Sequence, residues 1–372
     1  MKIVDLNYHC HTNMDDPAQV IALHAPSSGY IGPLRQYADI VMVKHMAYEG
    51  LVREGGINYH FFKGSNRFRH IPFRTHRFLQ QIKPDVVLVQ GFVFPLQVML
   101  LRWSLGKKTR ILVQHHGEKP FTGIKGWFQR LANRSIDGYL FTAKGNAAPW
   151  LSAGVIRDEK KIFELLSAST TFTNRYRKER TATVTLQGEP VFLWVARLYA
   201  NKDPLCVLKA FLRFLEAAPQ ATLYLVYQSA DLLPDLHALM DKHPERKHAV
   251  HFTGQKKKED LEHWFNAADF YISGSHSEGS GYALAEAMAC GCIPVVTRIP
   301  PFIKITDNGR LGLHFEAGNT DSCYAALLKT LTTDKAQESE KVAQYAGTHL
   351  GYEAIADRLF GIASTLIIRK VS

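Results

Sequence analysis

The segment DFYISGSHSEGSGYALAEAMACGCIPVVT, residues 269–297, changes from a strand pattern to a helix pattern and back to a strand pattern. A short apolar run, typical of a buried strand, leads into a glycine-rich loop. Alanine, leucine and methionine then recur at helical spacing before a second apolar run, IPVVT. Parallel strands need a crossover connection of about this length, usually a helix. The segment therefore predicts two strands of a parallel sheet joined by a helix.

The same alternation of strand and helix patterns runs through the whole chain. In the first half, the strand patterns are KIVDLNY (2–8), IVMVKH (40–45), INYHFF (57–62), DVVLVQG (85–91), RILVQHHG (110–117) and GYLFTA (138–143), with a weaker one in KIFELLSAST (161–170). In the second half, they are VFLWVAR (191–197), ATLYLVY (221–227), HAVHFTG (248–254), DFYISGS (269–275), IPVVT (293–297) and LGLHF (311–315). Two such series indicate an α/β protein with two Rossmann-like, doubly wound parallel sheets.

A chain of 372 residues is too long for one compact core, so we expect two domains. The stretch 171–190 is rich in threonine and charge and poor in apolar residues, which is typical of a linker. We therefore place an N-terminal domain at 1–183 and a C-terminal domain at 184–350. Two open parallel sheets in tandem are expected to bind a ligand in a cleft where the carboxyl ends of their strands face each other.

The excess of positive over negative charge lies in the first half of the chain. The net charge is +11, and residues 1–183 contain 26 Lys and Arg against 13 Asp and Glu, whereas the rest contains 19 against 21. The basic clusters at 63–77 and 106–110 would suit an anionic membrane surface or an anionic acceptor, and they also fit ordinary solvated faces. We expect no nucleic-acid partner, because no helix-turn-helix, zinc-finger or RNA-binding signature accompanies the charge.

The sequence shows no segment that directs the chain into or across a membrane. The N-terminus, MKIVDLNYHCHTN, lacks the pattern of a signal peptide. The longest uncharged run, 86–101, is interrupted by glycine, proline and glutamine, and it is shorter than the ~18 apolar residues of a spanning helix. The five cysteines are scattered and have no C-x-x-C spacing. We expect a reducing, cytoplasmic location, with peripheral contact at the inner face of the membrane as an option, and no metal site.

Two carboxylates flank the glycine-rich loop of the opening segment. Glu278 lies in the loop and Glu286 lies further on, in the helix, so the two are not placed as an acid and base pair on one face. A carboxylate can accept hydrogen bonds from both hydroxyls of a vicinal diol, which suits a sugar at one end and a ribose at the other. The free amides from Gly281 to Ala283 would bind a phosphate. An exposed position at the helix start is the alternative for Glu286.

Cations and histidines follow two other strand patterns. Arg197 ends VFLWVAR, and Lys202 comes five residues later at the start of the next helix. Two cations at a sheet edge would neutralise a departing diphosphate, although such residues are often only surface residues. His115 and His116 follow the strand pattern at 110–117. One of them would hydrogen-bond a sugar hydroxyl or a developing charge, and a satisfied loop histidine is the alternative.

Together, these residues resemble the signature of the family 4 glycosyltransferases, which are retaining enzymes of GT-B fold. In that signature, Glu, seven residues and Glu are followed by Ala-Met-Ala-x-Gly and a Pro-Val-Val strand, as from Glu278 to Val296 here. VARL with Lys202, VHFTGQ, NAADFYISGSHSE and LGLHFEAGN are also similar to the family's C-terminal domain. The N-terminal domain matches more loosely, through QHHGEK, RSIDGYLFTAKGNAAPWLSAGV and ELLSASTTF. The usual Gly-Gly loop after the first strand is missing at 7–17, and only SSGYIG (27–32) offers glycines.

The resemblance implies a role for each of the five charged site residues. Glu278 would bind hydroxyls of the donor sugar, and Glu286 would bind the ribose of the nucleotide. Arg197 and Lys202 would bind the diphosphate. His116 would meet the sugar near its anomeric centre.

The resemblance also implies how the loop and the domains are used. Backbone amides of the loop would cradle sugar and phosphate; the loop comprises Gly279, Ser280, Gly281 and Tyr282. Ser280 stands where the family often has an aromatic residue. The domain at 184–350 would bind the donor and the domain at 1–183 the acceptor. A C-terminal helix at about 351–372 would pack back on the first domain.

These roles predict a retaining, metal-independent glycosyltransferase. It would move a hexose-type unit from a nucleotide-diphosphate sugar to an unidentified acceptor, either a glycan, a lipid-linked molecule or a small molecule, as in polysaccharide biosynthesis. Two alternatives stay open. Another GT-B sugar-nucleotide enzyme, such as an epimerase, would need a clear acid and base pair, and the sequence shows none. A non-catalytic sugar-nucleotide-binding protein would not need all of these charged residues together.

Overall fold

The computed structural model of the chain describes residues 1–68, 70–167, 169–179, 181 and 183–368. It divides into two compact units. The first consists of the chain up to Ser169 and the segment that begins at Tyr352, and the second runs from Thr170 to Gly351.

The division between the units lies before the predicted boundary at 183, because residues of the predicted linker pack on the second unit. Arg177 donates hydrogen bonds to the carbonyl oxygens of Phe265 and Cys290, each at 3.1 Å. The backbone N–H of Thr173 donates to Glu262 Oε1 at 3.0 Å. The stretch is therefore the first part of the second unit, and the prediction of a free linker at 171–190 is corrected over these residues.

The first unit is built on a sheet with eight strands among the described residues. They are β1 (Lys2–His11), β2 (Asp39–Met46), β3 (Gly50–Glu54), β4 (Ile57–Lys63), β5 (Val86–Gln90), β6 (Arg110–Gln114), β7 (Gly138–Phe141) and β8 (Ile162–Glu164). Their order is β3-β4-β2-β1-β5-β6-β7-β8. Neighbouring strands are parallel except β3 and β4, which are antiparallel. In the central register, Ile3 lies opposite Ile40 on one side and Val86 on the other.

The second unit has its own sheet, with six strands in the part of the chain that the structure describes. They are β9 (Val191–Ala196), β10 (Thr222–Tyr227), β11 (Val250–Gly254), β12 (Phe270–Ser273), β13 (Ile293–Thr297) and β14 (Leu313–Phe315). The order is β11-β10-β9-β12-β13-β14, and each neighbouring pair is parallel. The prediction of an α/β fold with two parallel sheets is confirmed.

Helices alternate with the strands in both units. They are α1 (Pro17–Ser28), α2 (Ile31–Leu34), α3 (Phe73–Ile82), α4 (Pro95–Leu105), α5 (Gly123–Ala132), α6 (Ala148–Ser152), α7 (Arg175–Glu179), α8 (Pro204–Phe214), α9 (Leu233–Met240), α10 (Lys258–Ala267), α11 (Tyr282–Ala289), α12 (Pro300–Ile305), α13 (Thr320–Lys329), α14 (Lys335–Tyr345) and α15 (Tyr352–Ile368). Short 3-10 segments include Ala200–Lys202, and Ala346–Leu350 is a π segment.

The first sheet is covered on both faces, because successive side chains of a strand point to opposite sides. Ile3 of β1 packs in a buried cluster with Val20 of α1 and Leu359 of α15. The next residue, Val4, packs in a second cluster with Val98 of α4. The helix predicted at about 351–372 spans Tyr352–Ile368 and packs on this unit, while residues 369–372 lie outside the described part.

Candidate functional site

The glycine-rich loop of the second unit ends at Gly281, where α11 begins. Gly281 has a φ of +63°, and a Cβ atom there would lie 2.6 Å from Ile305 Cδ1. Both the conformation and the space therefore require glycine. The N-cap of α11 makes no side-chain hydrogen bond, and its first turn contains no acidic residue. The backbone amides at this helix start, just after β12, are available to an anion.

Lys202 and Glu278 form an ion pair next to this loop, although they are far apart in the sequence. Both side chains are half-buried. Ser275 Oγ donates a hydrogen bond to the same carboxylate oxygen, Glu278 Oε1, at 2.8 Å. The structure thus brings together Lys202, which was predicted to bind the diphosphate, and Glu278, which was predicted to bind the sugar. They meet at the carboxyl edge of the second sheet.

Hydrogen bonds between two loops hold this ion pair in place. The backbone N–H of His276 donates to the carbonyl oxygen of Asn201 at 2.8 Å. The Asn201 amide donates to the carbonyl oxygen of Ser277 at 3.0 Å and accepts from its hydroxyl at 2.8 Å. Asp203 Oδ2 lies 2.9 Å from His276 Nε2, and Asp203 also caps α8 by accepting from Cys206 N–H. The loop that carries Lys202 and the loop that carries Glu278 therefore form one structure.

Glu286 lies on α11 and is buried, with only 3% of its surface exposed. An exposed position at the helix start, the alternative considered above, is wrong. Burial raises the pKa of Glu286 to about 7, and the charge of Lys258 and the hydroxyl of Tyr282 oppose the rise. The carboxyl group therefore changes its charge near neutral pH. Ligand hydroxyls that donate hydrogen bonds to it would favour the charged form.

Arg197 lies beyond the end of β9 and is exposed. Its guanidinium group is 6.0 Å from the centre of the Tyr199 ring, and it forms no ion pair with any described carboxylate. The structure does not join Arg197 to the pair of Lys202 and Glu278. The remaining loop residues, Gly279 and Ser280, are half-buried beside Gly281, as is Tyr282.

The first unit has a polar cavity of about 290 Å³ at the carboxyl edge of its sheet. The lining residues come from β1, β2 and β5 and from the segments that follow β1, β5 and β6. They are Asp5, Asn7, His9, His24, Ser27, Ser28, Lys44, Gln90, Gly91, Val93, Phe94, His116 and Glu118. Strand β1 lies between β2 and β5 in the sheet. The next strands along the chain extend the sheet on the β2 side, and the strands from β5 onward extend it on the other side. Doubly wound sheets bind ligands at this kind of switch point.

A buried ion pair between Asp5 and Lys44 lines this cavity, with 3.3 Å between Lys44 Nζ and Asp5 Oδ1. The hydroxyl of Tyr30 donates to Asp5 Oδ2 at 3.0 Å, and the amide of Gln90 donates to the same oxygen. Both Asp5 and Lys44 are buried. Removing water from two charges is costly, so these hydrogen bonds are needed to make the pair tolerable.

His116 lines the cavity and is linked to Asp5 through Gln90. His116 Nε2 lies 2.7 Å from Gln90 Oε1, and the backbone N–H of His116 donates to Glu118 Oε2 at 2.7 Å. Because Gln90 donates its amide to the Asp5 carboxylate, its oxygen faces His116 and can only accept. His116 Nε2 therefore carries a proton. Loss of hydration lowers the pKa of His116, while the carboxylates of Glu118 and Asp5 oppose this.

The neighbouring histidine, His115, has a different environment. It is buried, its Nε2 lies 2.9 Å from the carbonyl oxygen of Glu118, and its ring packs 4.8 Å from the ring of Phe141. Of the two histidines that the sequence offered, the structure places His116 in the cavity and His115 in the core.

At this cavity, other residues take the place of the missing Gly-Gly loop. Strand β1 continues to His11, with an irregularity in its register between Leu6 and Cys10. The side chains of Asn7 and His9 on this extension line the cavity. Neither glycine of SSGYIG, Gly29 or Gly32, lines the cavity, and a Cβ atom at Gly29 would lie 2.4 Å from Tyr352 Cζ. That segment contributes two serines to the lining instead.

The sequence patterns did not single out Asp5, Lys44 and Gln90. A signal was nevertheless present, since Asp5 and Lys44 are opposite charges within otherwise apolar strands, KIVDLNY and IVMVKH. A charged residue in a fully buried strand is unusual unless it is paired. In the second unit, the sequence patterns missed Asn201 and Asp203, and also His276 and Ser277 of the facing loop, because these residues act across a long separation in the sequence.

Four further properties bear on the predictions. Within the described ranges, no group of three or more His, Cys, Asp or Glu side chains is arranged to hold a metal ion. No described helix is both long enough and apolar enough to cross a bilayer. All five cysteines are free and buried. In the basic cluster at 63–77, Arg74 pairs with Glu49 at 2.8 Å, whereas His76 is buried and bonds Tyr8.

Comparison with known proteins finds similarity that is concentrated in the second unit. Residues 175–349 match the family model of the glycosyl transferases group 1. The GDP-mannose:cellobiosyl-diphosphopolyprenol alpha-mannosyltransferase of Xanthomonas oryzae is 29% identical over 261 residues, which are 68% of this chain and 65% of that protein. The phosphatidyl-myo-inositol mannosyltransferase of Propionibacterium freudenreichii is 30% identical over 114 residues, which are 29% of this chain and 30% of that protein. The chain thus spans less than two thirds of the length of these relatives.

Solved structures extend the comparison to both units. The structure of Anabaena HepE in complex with UDP and glucose has a TM-score of 0.66 and 14% identity, and the match covers 98% of this chain and 100% of that chain. At this identity the likeness concerns the fold, and the predicted GT-B fold is confirmed. The match to the glycosyl transferases group 1 is confined to residues 175–349, within the second unit.

Proposed function

We propose that the protein is a retaining glycosyltransferase of family 4 that transfers a hexose-type sugar from a nucleotide-diphosphate sugar to an acceptor. The observation that carries the proposal is the ion pair of Lys202 and Glu278 beside the uncapped start of α11. A cation and a helix N-terminus neutralise a diphosphate as it departs, and a carboxylate at the same point binds hydroxyls of the transferred sugar. This pair lies within the region that matches the glycosyl transferases group 1.

The donor would engage five side chains. The ammonium group of Lys202 has three donors, so it can keep its bond to Glu278 and also reach a phosphate oxygen. Arg197 is exposed and without an ion-pair partner among the described carboxylates, so its side chain is free to turn toward the diphosphate. Glu286 would accept hydrogen bonds from the ribose, and His116 would contact the sugar. With cations and helix amides on the diphosphate, the reaction needs no metal ion.

The cavity of the first unit would bind the acceptor. Its charges are largely paired internally, as in Asp5 with Lys44, and much of its lining consists of neutral hydrogen-bonding groups such as Asn7 and Ser27. Such a lining suits hydroxyls of a sugar better than a free phosphate. The Xanthomonas relative is named for a glycan linked to diphosphopolyprenol. We therefore include lipid-linked glycans at the inner face of the membrane among the acceptors to test.

The test is a transfer assay with UDP-glucose and GDP-mannose as donors and a panel of free and lipid-linked glycans as acceptors. We expect acceptor-dependent release of the nucleotide diphosphate, unchanged by EDTA, and a product whose anomeric configuration, read by NMR, equals that of the donor. The Glu278→Gln variant should lose this activity.

Three results would contradict parts of the proposal. Inversion of the anomeric configuration would exclude a retaining enzyme. Conversion of the donor sugar without any acceptor would indicate an epimerase. Binding of the donor without turnover across the whole panel would favour a non-catalytic sugar-nucleotide-binding protein.

A further inference from the structure

Helix α5 carries an apolar stripe on the surface of the first unit. Ile124 is 77% exposed and Trp127 is 51% exposed. Half-buried Leu131 continues the stripe at helical spacing. The opposite side of the helix is buried through Gly126 and Ala132, so the helix already has a core-facing side and the stripe is additional. Adjacent large apolar side chains on a surface mark an interaction site more often than scattered single ones.

The same surface is strongly cationic. From Lys119 to Ile136 the chain contains four Lys and Arg and no Asp or Glu. A groove of about 170 Å³ lies beside the stripe and is lined by Trp127, Arg130, Leu131, Asn133, Arg134 and Arg157. We call these groove residues, together with Ile124 and Lys125, the α5 face.

The arginines of the α5 face are not neutralised within the described part of the chain. Arg134 and Arg157 have neither an ion-pair nor a hydrogen-bond partner there, and Arg130 donates only to the carbonyl oxygen of Ala153 at 3.4 Å. Two other arginines of this unit, Arg102 and Arg110, are instead paired with Asp137, the second at 3.3 Å. The groove therefore presents positive charge to an external anion.

We propose that the α5 face docks on an anionic lipid bilayer. Ile124 and Trp127 would enter the boundary between headgroups and acyl chains, where indole rings are favoured. The guanidinium groups of Arg134 and Arg157 would bind lipid phosphates, which they match in geometry and charge. Lys125 lies 5.6 Å from the ring centre of Phe68 and 5.8 Å from that of Phe121, so aromatic side chains continue the apolar surface beyond the helix.

The combination of groups favours a bilayer over other anionic partners. A nucleic acid would satisfy the arginines through its phosphates but would leave the isoleucine of the stripe in water. A bilayer satisfies both parts, since it offers phosphates at one depth and hydrocarbon a few ångströms deeper. Docking would bring the first unit to the surface that holds lipid-linked acceptors; this purpose rests on the proposed function, whereas the binding itself does not.

The experiment is co-sedimentation of the full chain with vesicles of phosphatidylcholine, with and without phosphatidylglycerol. We expect binding only to vesicles that contain phosphatidylglycerol. The double variant Ile124→Ser/Trp127→Ser should weaken it about ten-fold or more through lost apolar insertion, and Arg134→Gln/Arg157→Gln should weaken it by a similar factor through lost charge. The matched control is Trp103→Ser, which removes a tryptophan that is 84% exposed on α4 and does not line the groove; it should bind like the parent.

Two results would overturn the docking surface. One is that both double variants sediment with phosphatidylglycerol vesicles to the same extent as the parent. The other is absent vesicle binding together with a DNA or RNA complex that the arginine variant abolishes. Nucleotide binding measured on the same variants separates this inference from the proposed function, because the donor site lies in the second unit. Lost lipid binding with intact UDP or GDP binding concerns the α5 face alone.

Discussion

The proposed donor site of the second unit and the cavity of the first unit are built in opposite ways. In the second unit, Glu278 and Glu286 lie on one loop and the helix that follows it, so a short stretch of sequence carries most of the chemistry. In the first unit, Asp5 is joined to Lys44 across 39 positions and to Gln90 across 85. A site for a diphosphate repeats a general solution, a helix start with a cation. The cavity that we propose for the acceptor is assembled from separate strands, through contacts between residues far apart in the sequence.

The largest effect is expected from breaking the buried pair of the first unit. Asp5→Ala leaves the Lys44 ammonium buried and unpaired, which should lower the free energy of unfolding by about 3–5 kcal/mol. Urea unfolding measures this. The matched control is Asp39→Ala, whose exposed carboxylate lies 3.7 Å from Lys2 Nζ and should cost about 1 kcal/mol or less. Equal losses for the two variants would mean that the Asp5 pair is not structurally special.

The second largest effect is expected on the rate of transfer, from a substitution in the proposed donor site. Lys202→Ala removes the proposed cation of the diphosphate and the partner of Glu278, so kcat/KM should fall by about 10²–10³. Release of the nucleotide diphosphate measures it. Lys209→Ala, an exposed lysine on the next helix, is the control and should be neutral. Transfer at the parent rate by the Lys202 variant would remove the diphosphate assignment.

Replacing Glu286 by glutamine should raise the free energy of unfolding and weaken the binding of nucleotide. Its folded pKa of about 7 lies above the ordinary value of 4.5, so the folded state holds the proton more tightly. The contribution of Glu286 to the stability of the parent should therefore fall as pH rises from about 4.5 through about 7, and stay low above that. Glu286→Gln removes this slope, and at about pH 8 it should be more stable by about 1–3 kcal/mol while binding nucleotide more weakly.

Thermal unfolding at about pH 5 and pH 8, with nucleotide titrations at both, measures this pair of effects. Glu340→Gln, which changes an exposed carboxylate, is the control. A Glu286→Gln protein that is destabilised at the higher pH would show that the carboxylate is stabilising in the free protein, contrary to this account.

The smallest effect is expected from the link between the cavity and His116. Gln90→Met removes the oxygen that accepts from His116 Nε2, so the imidazole is no longer held in one tautomer and orientation. The same change removes the amide that donates to Asp5, so some loss of stability accompanies it. We expect kcat to fall about ten-fold, as for other positioning contacts, with nucleotide binding unchanged. The ¹⁵N spectrum of the histidines should report the altered tautomer. Gln80→Met, an exposed position on α3, is the control. Weaker nucleotide binding in Gln90→Met would instead mean general damage.

The fold could be predicted from the sequence wherever apolar runs are buried. The strand that was missed, β3, is short and mostly exposed, and it exists because it pairs with β4 through the turn at Gly55 and Gly56, both of positive φ. Residues 171–179 have the composition of a linker, but Arg177 finds backbone carbonyls of the second unit as partners. The pattern of residues within a short segment carries no information about hydrogen-bond partners that lie far away in the sequence.

The candidate site shows the same limit. The positions of Glu278, Glu286 and Lys202 followed from spacing along the chain, but the contact of Lys202 with Glu278 depends on two loops from different strands. The burial that perturbs Glu286 depends on the packing around α11. In the first unit, His116 was predicted, whereas Asp5 and Gln90, which orient it, become visible only when β1 and β5 lie side by side.

The central claim is that the second unit holds a site for a nucleotide-diphosphate sugar, and thermal unfolding with a panel of nucleotides and sugar nucleotides tests it most directly. A ligand that binds only the folded state raises the midpoint by mass action. The account predicts that UDP or GDP and at least one of their sugar conjugates raise the midpoint of the parent, and that the rise is much smaller in Lys202→Ala. If no nucleotide or sugar nucleotide raises the midpoint of the parent, the donor site is contradicted.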